Sequence, residues 1–230
     1  MHYAEYKLSD PGLVADMLDT FPFAAIMVNS PAGPMLAQAP LTFREGASPT
    51  GAVEFHLAKA NPIVAYMRTD VPITILIQGP GAHISPSWFA ASYPTPDADR
   101  SRTAPTYNYL SLVIHGRVAY MDDPALQVQI RDLVRANEAD DGWNAGELAP
   151  DLWQGWRKLV QGYRIEIERF DLTAKFSEGD VPADRPGVIE GLRKRAVLGD
   201  LGVAGILQMY DGSSASLRRA LAALRNGMAS

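Results

Sequence analysis

Short apolar runs, each cut off by proline, glycine or asparagine, recur along this chain and leave few architectures open. Phe23–Val28 is continuously apolar, Asn29-Ser-Pro-Ala-Gly-Pro34 is a turn, and Met35–Phe43 reads as the next run. Val53–Ala58, Ile73–Gln78 and Tyr109–Tyr120 follow. Gly79-Pro80 ends the second of these, and Gly116 reads as a bulge in the third. Runs this short, rich in β-branched residues and bounded by turn formers, predict strands. Tyr163–Asp171 adds a half-exposed strand, with Ile165 and Ile167 alternating against Glu166 and Glu168. Helical spacing appears between them. Residues 10–20 place Asp10 as N-cap, Pro11 in the first turn, and Leu13, Val14, Met17 and Leu18 on one stripe. Ile63–Arg68, Pro124–Glu138 and Leu152–Val160 are further helices, and from about 185 the chain turns basic and helical. Six or more closely spaced strands with helices between them predict an antiparallel barrel, mainly β with α decoration (an α+β class). Nothing between 12 and 175 reads as a linker, so we expect one main domain over 1–180 and a helical extension over 181–230.

The 230 residues are 47% apolar, enough for a substantial core. The formal net charge of −5, with both signs interspersed, argues against a broad basic face for nucleic acid. Arg193-Lys-Arg195 is too short to carry DNA binding alone. With no cysteine, thiolate metal sites, iron–sulfur clusters, disulfides and cysteine nucleophiles are excluded, which is compatible with the cytoplasm. No window of about 18 apolar residues is present to span a membrane, and Met1–Asp10 has no secretory h-region. No P-loop, Gly-x-Gly-x-x-Gly, His-Glu-x-x-His or Gly-x-Ser-x-Gly occurs, so nucleotide-fold, zincin and serine-hydrolase chemistry are set aside.

Two stretches combine aromatics, prolines and hydrogen-bonding side chains with little charge: 80–88 (Pro-Gly-Ala-His-Ile-Ser-Pro-Ser-Trp) and 104–109 (Ala-Pro-Thr-Tyr-Asn-Tyr). That mixture suits a pocket for a flat, partly polar ligand, and 81–105 reads as its loop. Trp88, Tyr107, Asn108 and Tyr109 are ligand-contact candidates, or else barrel core and dimer interface. His56 lies among apolar neighbours at a strand end; it is either a core imidazole bonded to a carbonyl or a ligand to metal or haem iron. His83 sits in a glycine-flanked loop and suits substrate contact, whereas mid-strand His115 reads as structural. Lys175, flanked by apolar residues, is either a pocket cation or a solvated lysine.

Four segments together resemble the PaiB-like group, labelled FMN-binding negative transcriptional regulators. They are His-Leu-Ala-Lys-Ala-Asn-Pro (56–62), Gly-Pro-x-x-x-Ile-Ser-Pro-Ser-Trp-Phe (79–89), Ala-Pro-Thr-Tyr-Asn-Tyr (104–109) and His-Gly-Arg-Val (115–118). Pro22-Phe23 and Asp184-Arg-Pro-Gly-Val-Ile-Glu-Gly-Leu192 add to them, so the likeness runs over roughly 10–195. The resemblance implies an FMN-binding split β-barrel that pairs as a homodimer with its cofactor at the interface. It also implies kinship with haem-dependent piperazate synthases, which form an N–N bond from an N-hydroxylated ornithine; His56 matches their axial iron ligand. The chain departs from the group at His83, where an aromatic is usual, and at Tyr107, where tryptophan is usual. Lys175-Phe-Ser-Glu-Gly179 replaces Lys-Leu-Ser-Gln-Asn, and Thr95–Arg102 is inserted.

An FMN phosphate needs clustered cations and backbone N–H groups, and Arg44, Lys59, Arg68 and Arg102 form no motif. Haem needs one imidazole, a wide apolar slot and a few cations. The expectation is therefore haem b, with FMN as the alternative, on His56 as metal ligand. Asn61, Arg68, Ser85, Trp88, Thr106, Tyr107, Asn108 and Tyr109 would surround the cofactor, with His83 and Lys175 as acid–base groups toward a small-molecule substrate. A flavin oxidoreductase and a non-catalytic, ligand-sensing regulator are the alternative functions.

Overall fold

The computed structural model describes residues 4–139, 141–177 and 181–227. Among these, eight strands and six α-helices follow in the order β1 (Lys7–Leu8), α1 (Gly12–Thr20), β2 (Phe23–Ser30), β3 (Gly33–Pro40), β4 (Thr42–Arg44), β5 (Ala52–Ala58), β6 (Pro72–Ile84), β7 (Thr106–Tyr120), α2 (Asp123–Asn137), α3 (Pro150–Trp156), β8 (Val160–Lys175), α4 (Arg185–Arg195), α5 (Asp200–Met209) and α6 (Ser214–Arg225). The strands form one sheet in the order β3-β2-β6-β7-β8-β5-β4, with β1 paired to β8. Pairings β2–β3, β4–β5, β5–β8 and β1–β8 are all antiparallel. This is the α+β architecture that the patterning implies. No helix among the described residues is long and apolar enough to cross a membrane.

The chain divides into two compact units. Unit 1 comprises residues 1–20, 78–112 and 171–230; unit 2 comprises 21–77 and 113–170. Each has its own apolar core. In unit 2 Ile26, Ile75, Phe55, Ile114 and Ile165 are fully buried, and Tyr163 stacks on Phe55 at 5.4 Å. In unit 1 the stripe Leu13, Val14, Met17 and Leu18 of α1 is buried as its spacing implies, along with Phe176, Leu192, Ile206 and Leu217. Arg218 of α6 pairs with Asp10 and Asp16 at 2.9 and 3.0 Å, and Arg225 with Asp19 at 3.1 Å. The basic residues of the last helix are thus matched by acids of the first.

Several elements differ from the sequence reading: Met35–Phe43 is split at Leu41 into β3 and β4, and the helix expected over Ile63–Arg68 is a short 3-10 turn at Pro62–Tyr66. β6 does not stop at Gly79-Pro80 but continues to Ile84. Glycine makes this feasible: a Cβ at Gly79 would lie 3.1–3.2 Å from the Leu110 side chain and carbonyl of β7, and one at Gly81 would lie 2.8 Å from the Tyr107 ring. The Gln78 side-chain amide also donates to Leu110 O at 3.0 Å, beside Pro80, which has no N–H to offer. Likewise α3 ends at Trp156, and β8 begins at Val160 and runs 16 residues, not nine. Gly116 is no break in β7; it lies where a Cβ would overlap the Glu166 carbonyl.

Candidate functional site

Within unit 2, His56 faces a cleft of about 590 Å³. The walls come from α2 (Gln127, Ile130, Arg131, Val134), the 143–150 segment and α3 with the start of β8. Three of the four tryptophans in the chain, Trp143, Trp153 and Trp156, line it, with Leu148 and Leu159. A ligand site of this size is ordinarily apolar and aromatic with a few placed polar groups. Here the polar groups are the His56 imidazole, the Gln127 and Gln154 amides and Arg131. Arg135, one helical turn from Arg131, lines an adjoining cavity that shares Arg131, Val134 and Trp143.

Local sequence explains how the imidazole is presented. β5 alternates. Val53, Phe55 and Leu57 enter the core, while Glu54 and His56 take the face under α2. Glu54 is 6% exposed and accepts from Arg44 at 2.7 Å and Arg164 at 2.9 Å. Arg44 also reaches Asp132 of α2 at 2.6 Å. Burial works against the Arg44 charge, but its hydrogen bonds to Glu54 and Asp132 outweigh it and hold its pKa above the usual guanidinium value. Asp122 caps α2 by accepting the Ala125 N–H at 2.9 Å, with Pro124 in the first turn. His56 Nδ1 lies 2.8 Å from Gln129 Oε1, and Gln129 Nε2 donates to Thr42 Oγ1 at 3.1 Å. An amide oxygen only accepts, so Nδ1 carries a proton, and in the neutral ring Nε2 is the nitrogen with the lone pair. On the opposite face, burial pushes the Tyr163 phenol up to about 12, with a further contribution from Tyr120.

Such a cleft fits haem well. It offers one unprotonated imidazole nitrogen, a ring-lined apolar slot and two arginines a turn apart for carboxylates. Among the described residues, no cluster of three or more His, Cys, Asp or Glu side chains could hold a free metal ion. An iron brought in with its own macrocycle needs only one protein ligand.

The other residues singled out from sequence lie elsewhere. None of Asn61, Arg68, His83, Ser85, Trp88, Thr106, Tyr107, Asn108, Tyr109 or Lys175 lines this cleft. Asn61 caps a short turn at Pro62–Tyr66 through the Ile63 N–H at 3.2 Å, and Arg68 is exposed. In unit 1, Ser85 caps the turn Pro86–Trp88 through the Ser87 N–H at 3.2 Å. Trp88 lies under the Arg195 guanidinium at 4.9 Å, and Gly187 and Gly191 of α4 leave room for it. Arg195 also donates to the His83 carbonyl at 2.8 Å, and the His83 side chain is exposed. Asn108 is fully buried against Ser177 at 2.8 Å. Lys175 is 5% exposed; its ammonium donates to the Thr106 hydroxyl and, at 3.0 Å, to the Tyr107 carbonyl. Tyr109 is half-buried and Tyr107 exposed. Glu178 and Gly179, from the variant lysine motif, lie outside the described residues.

Sequence reasoning missed Gln129, Arg131 and the three tryptophans as site residues. The only signal for the tryptophans was their crowding into residues 143–156 of a chain that has four.

Comparison with known proteins agrees with this fold. The family described as "Putative FMN-binding domain" matches residues 1–169. The Bacillus subtilis protein named Protease synthase and sporulation protein PAI 2 is 21% identical over 190 residues, covering 82% of this chain and 86% of its own. Two solved structures share the fold: an FAD and haem binding protein from Mycobacterium smegmatis (TM-score 0.54, 12% identity, 74% and 73% of the two chains) and the flavocytochrome Anf3 from Azotobacter vinelandii (TM-score 0.55, 16% identity, 76% and 72%). The sheet order, the four sequence motifs and the match over most of the chain converge: this protein belongs to the PaiB-like family of FMN-binding domains and has the fold of the flavin-binding split barrels.

Proposed function

We propose that this protein binds haem b in the unit 2 cleft, with His56 Nε2 as the axial ligand. One observation carries the reading: His56 has its Nδ1 tied to Gln129, 2.8 Å away, and lines a cleft walled by three tryptophans. An isoalloxazine ring requires no such nitrogen, whereas a haem iron does. The descriptions of two fold relatives name haem or a flavocytochrome, which supports the same choice within a family named for FMN.

When bound, haem would supply redox or N–O bond-cleaving chemistry on a small N-hydroxylated amine, as in the piperazate synthases. The residues do the rest. Trp143, Trp153 and Trp156 would lay apolar ring surface against the macrocycle. Arg131 and Arg135 hold carboxylates. Neither proton-transfer candidate lines the cleft, and His83 is an exposed imidazole of unit 1. Lys175, already engaged by Thr106 and the Tyr107 carbonyl, orders the start of β7 instead. We further propose that the protein works as a cytoplasmic homodimer. Trp143, Leu152, Trp156 and Leu159 leave apolar surface open around the cleft, between 43% and 64% exposed, for a second chain to cover.

The test is the absorption spectrum of protein purified from cells fed a haem precursor. A stoichiometric Soret band that shifts or disappears in His56→Ala is the expected result. A yellow protein with flavin bands, unchanged by that substitution, overturns the haem reading in favour of FMN.

A further inference from the structure

Helix α2 buries only two side chains, Leu126 at 3% exposure and Gln129 at 0%. Leucine is the ordinary occupant of such a position. A buried amide is costly unless each polar atom finds a partner. Both do. Oε1 meets His56 Nδ1 at 2.8 Å and Nε2 donates to Thr42 Oγ1 at 3.1 Å. In this arrangement Nε2 meets the Thr42 hydroxyl and Oε1 meets the imidazole, so the amide spans both partners.

The surroundings bring α2 close enough for this contact. Gly162 of β8 is the register partner of His56 on β5. A Cβ at Gly162 would lie 3.1 Å from both Leu126 Cδ1 and Met121 Cβ, so the bare backbone lets the helix sit low. Three residues beyond Gln129, the Arg44–Asp132 pair at 2.6 Å clamps the next turn. Thr42, Arg44, Gly162 and Gln129 together give the imidazole one orientation and one proton position.

We propose that Gln129 is the positioning residue for His56: as a neutral acceptor it locks the Nδ1–H tautomer and turns Nε2 to the cleft. Its consequence for iron rests on the haem reading above; the tautomer itself does not need haem. A carboxylate at this position would draw the Nδ1 proton toward itself and enrich the ring with electron density. An amide leaves the ring a plain neutral imidazole, and a bound iron then favours its reduced state more than it would behind a carboxylate.

Two measurements on the full chain test this. The first is ¹⁵N NMR of histidine-labelled protein without haem, which reads the His56 tautomer directly. The second is haem retention and midpoint potential of the loaded protein. Wild type should show a single Nδ1–H tautomer. Gln129→Leu should mix the tautomers and speed haem loss about tenfold, the lower end for an outer-shell ligand partner. Gln129→Glu should restore both the tautomer and haem retention while moving the potential to more negative values. Thr42→Val frees the amide to turn and should mix the tautomers partially, with α2 otherwise intact. An unchanged tautomer in folded Gln129→Leu overturns the proposal, as does a glutamate that fails to restore it. Should wild type take up no haem while the resonances still move in Gln129→Leu, the haem reading falls and the positioning role stands.

Discussion

In unit 1, Asn108, Lys175, Asp184 and Asp200 are each no more than 5% exposed, and each has hydrogen-bond partners from its own unit. In unit 2, the polar groups along the cleft are arranged otherwise. His56 commits one ring nitrogen to Gln129 and keeps the other, and Arg131 and Arg135 are exposed. Both regions carry family motifs, but the motif residues do different things. Ser85, Trp88 and Asn108 close caps, stacks and buried hydrogen bonds, while His56 stands at an opening. A buried polar network rigidifies a fold when every member is satisfied. A functional site keeps at least one group unsatisfied until its ligand arrives.

This contrast can be broken in both directions. The largest effect is expected at the cleft: His56→Ala should weaken haem retention beyond about 100-fold, since it removes a ligand and not merely its support. The same change should cost only about 1–2 kcal/mol of stability, from the Gln129 oxygen left without its donor. Paired haem-release and urea-unfolding measurements check both numbers. In unit 1 the order should reverse. Asp200 accepts from Arg195 Nε at 2.8 Å and Nη2 at 2.6 Å, and caps the Val197 N–H at 3.1 Å. Asp200→Ala should cost about 2–3 kcal/mol, below the range for a wholly buried pair because Arg195 keeps some contact with water. Its urea midpoint should fall while the haem spectrum of the folded fraction stays as in wild type. Loss of haem from folded Asp200→Ala would erase the distinction between the two regions.

Smaller effects sharpen the comparison. A Cβ at Gly191 would overlap the Trp88 ring, so Gly191→Ala should lower stability by about 1–2 kcal/mol through overpacking, read as a drop in Tm. The smallest is a pH dependence. Arg195 beside Asp200 holds its carboxyl below the usual carboxylate range, against the effect of burial. Burial would raise Asp184, but hydrogen bonds from Ser92 and the Ala91 N–H outweigh it and the net shift is also downward. Both groups bind protons more readily in the unfolded chain. Their stabilisation is therefore complete above the ordinary carboxylate value of about 4 and is lost as pH falls through the lower folded values. Urea midpoints taken down from about pH 6 should fall below pH 4 more steeply in wild type than in Asp200→Asn.

Much of this fold was legible in local pattern. The α1 stripe, the amphipathic helix from Pro124 and the Ile165/Ile167 alternation each report one periodicity, and the chain follows them. The failures share a cause. Gly79-Pro80-Gly81 reads as a stop because glycine and proline are weak strand formers in isolation. It is a strand because β7 lies against it too closely for side chains. Trp153 and Trp156 sit on a helix as expected, but nothing local says that this helix faces His56.

The same division holds for the site. Residue type alone made His56 the ligand candidate, because few side chains offer a neutral nitrogen lone pair, and the absence of cysteine removed its main competitor. Composition and strand spacing were enough for the fold class. Which proton the imidazole holds, and what it looks out on, came only from tertiary contacts. Gln129 is 73 residues away in the chain, and Trp143 and Trp156 farther still. A glutamine on an amphipathic helix carries no mark of its partner. Its meaning is set by the strand it lands on, and long-range packing is what chooses that strand.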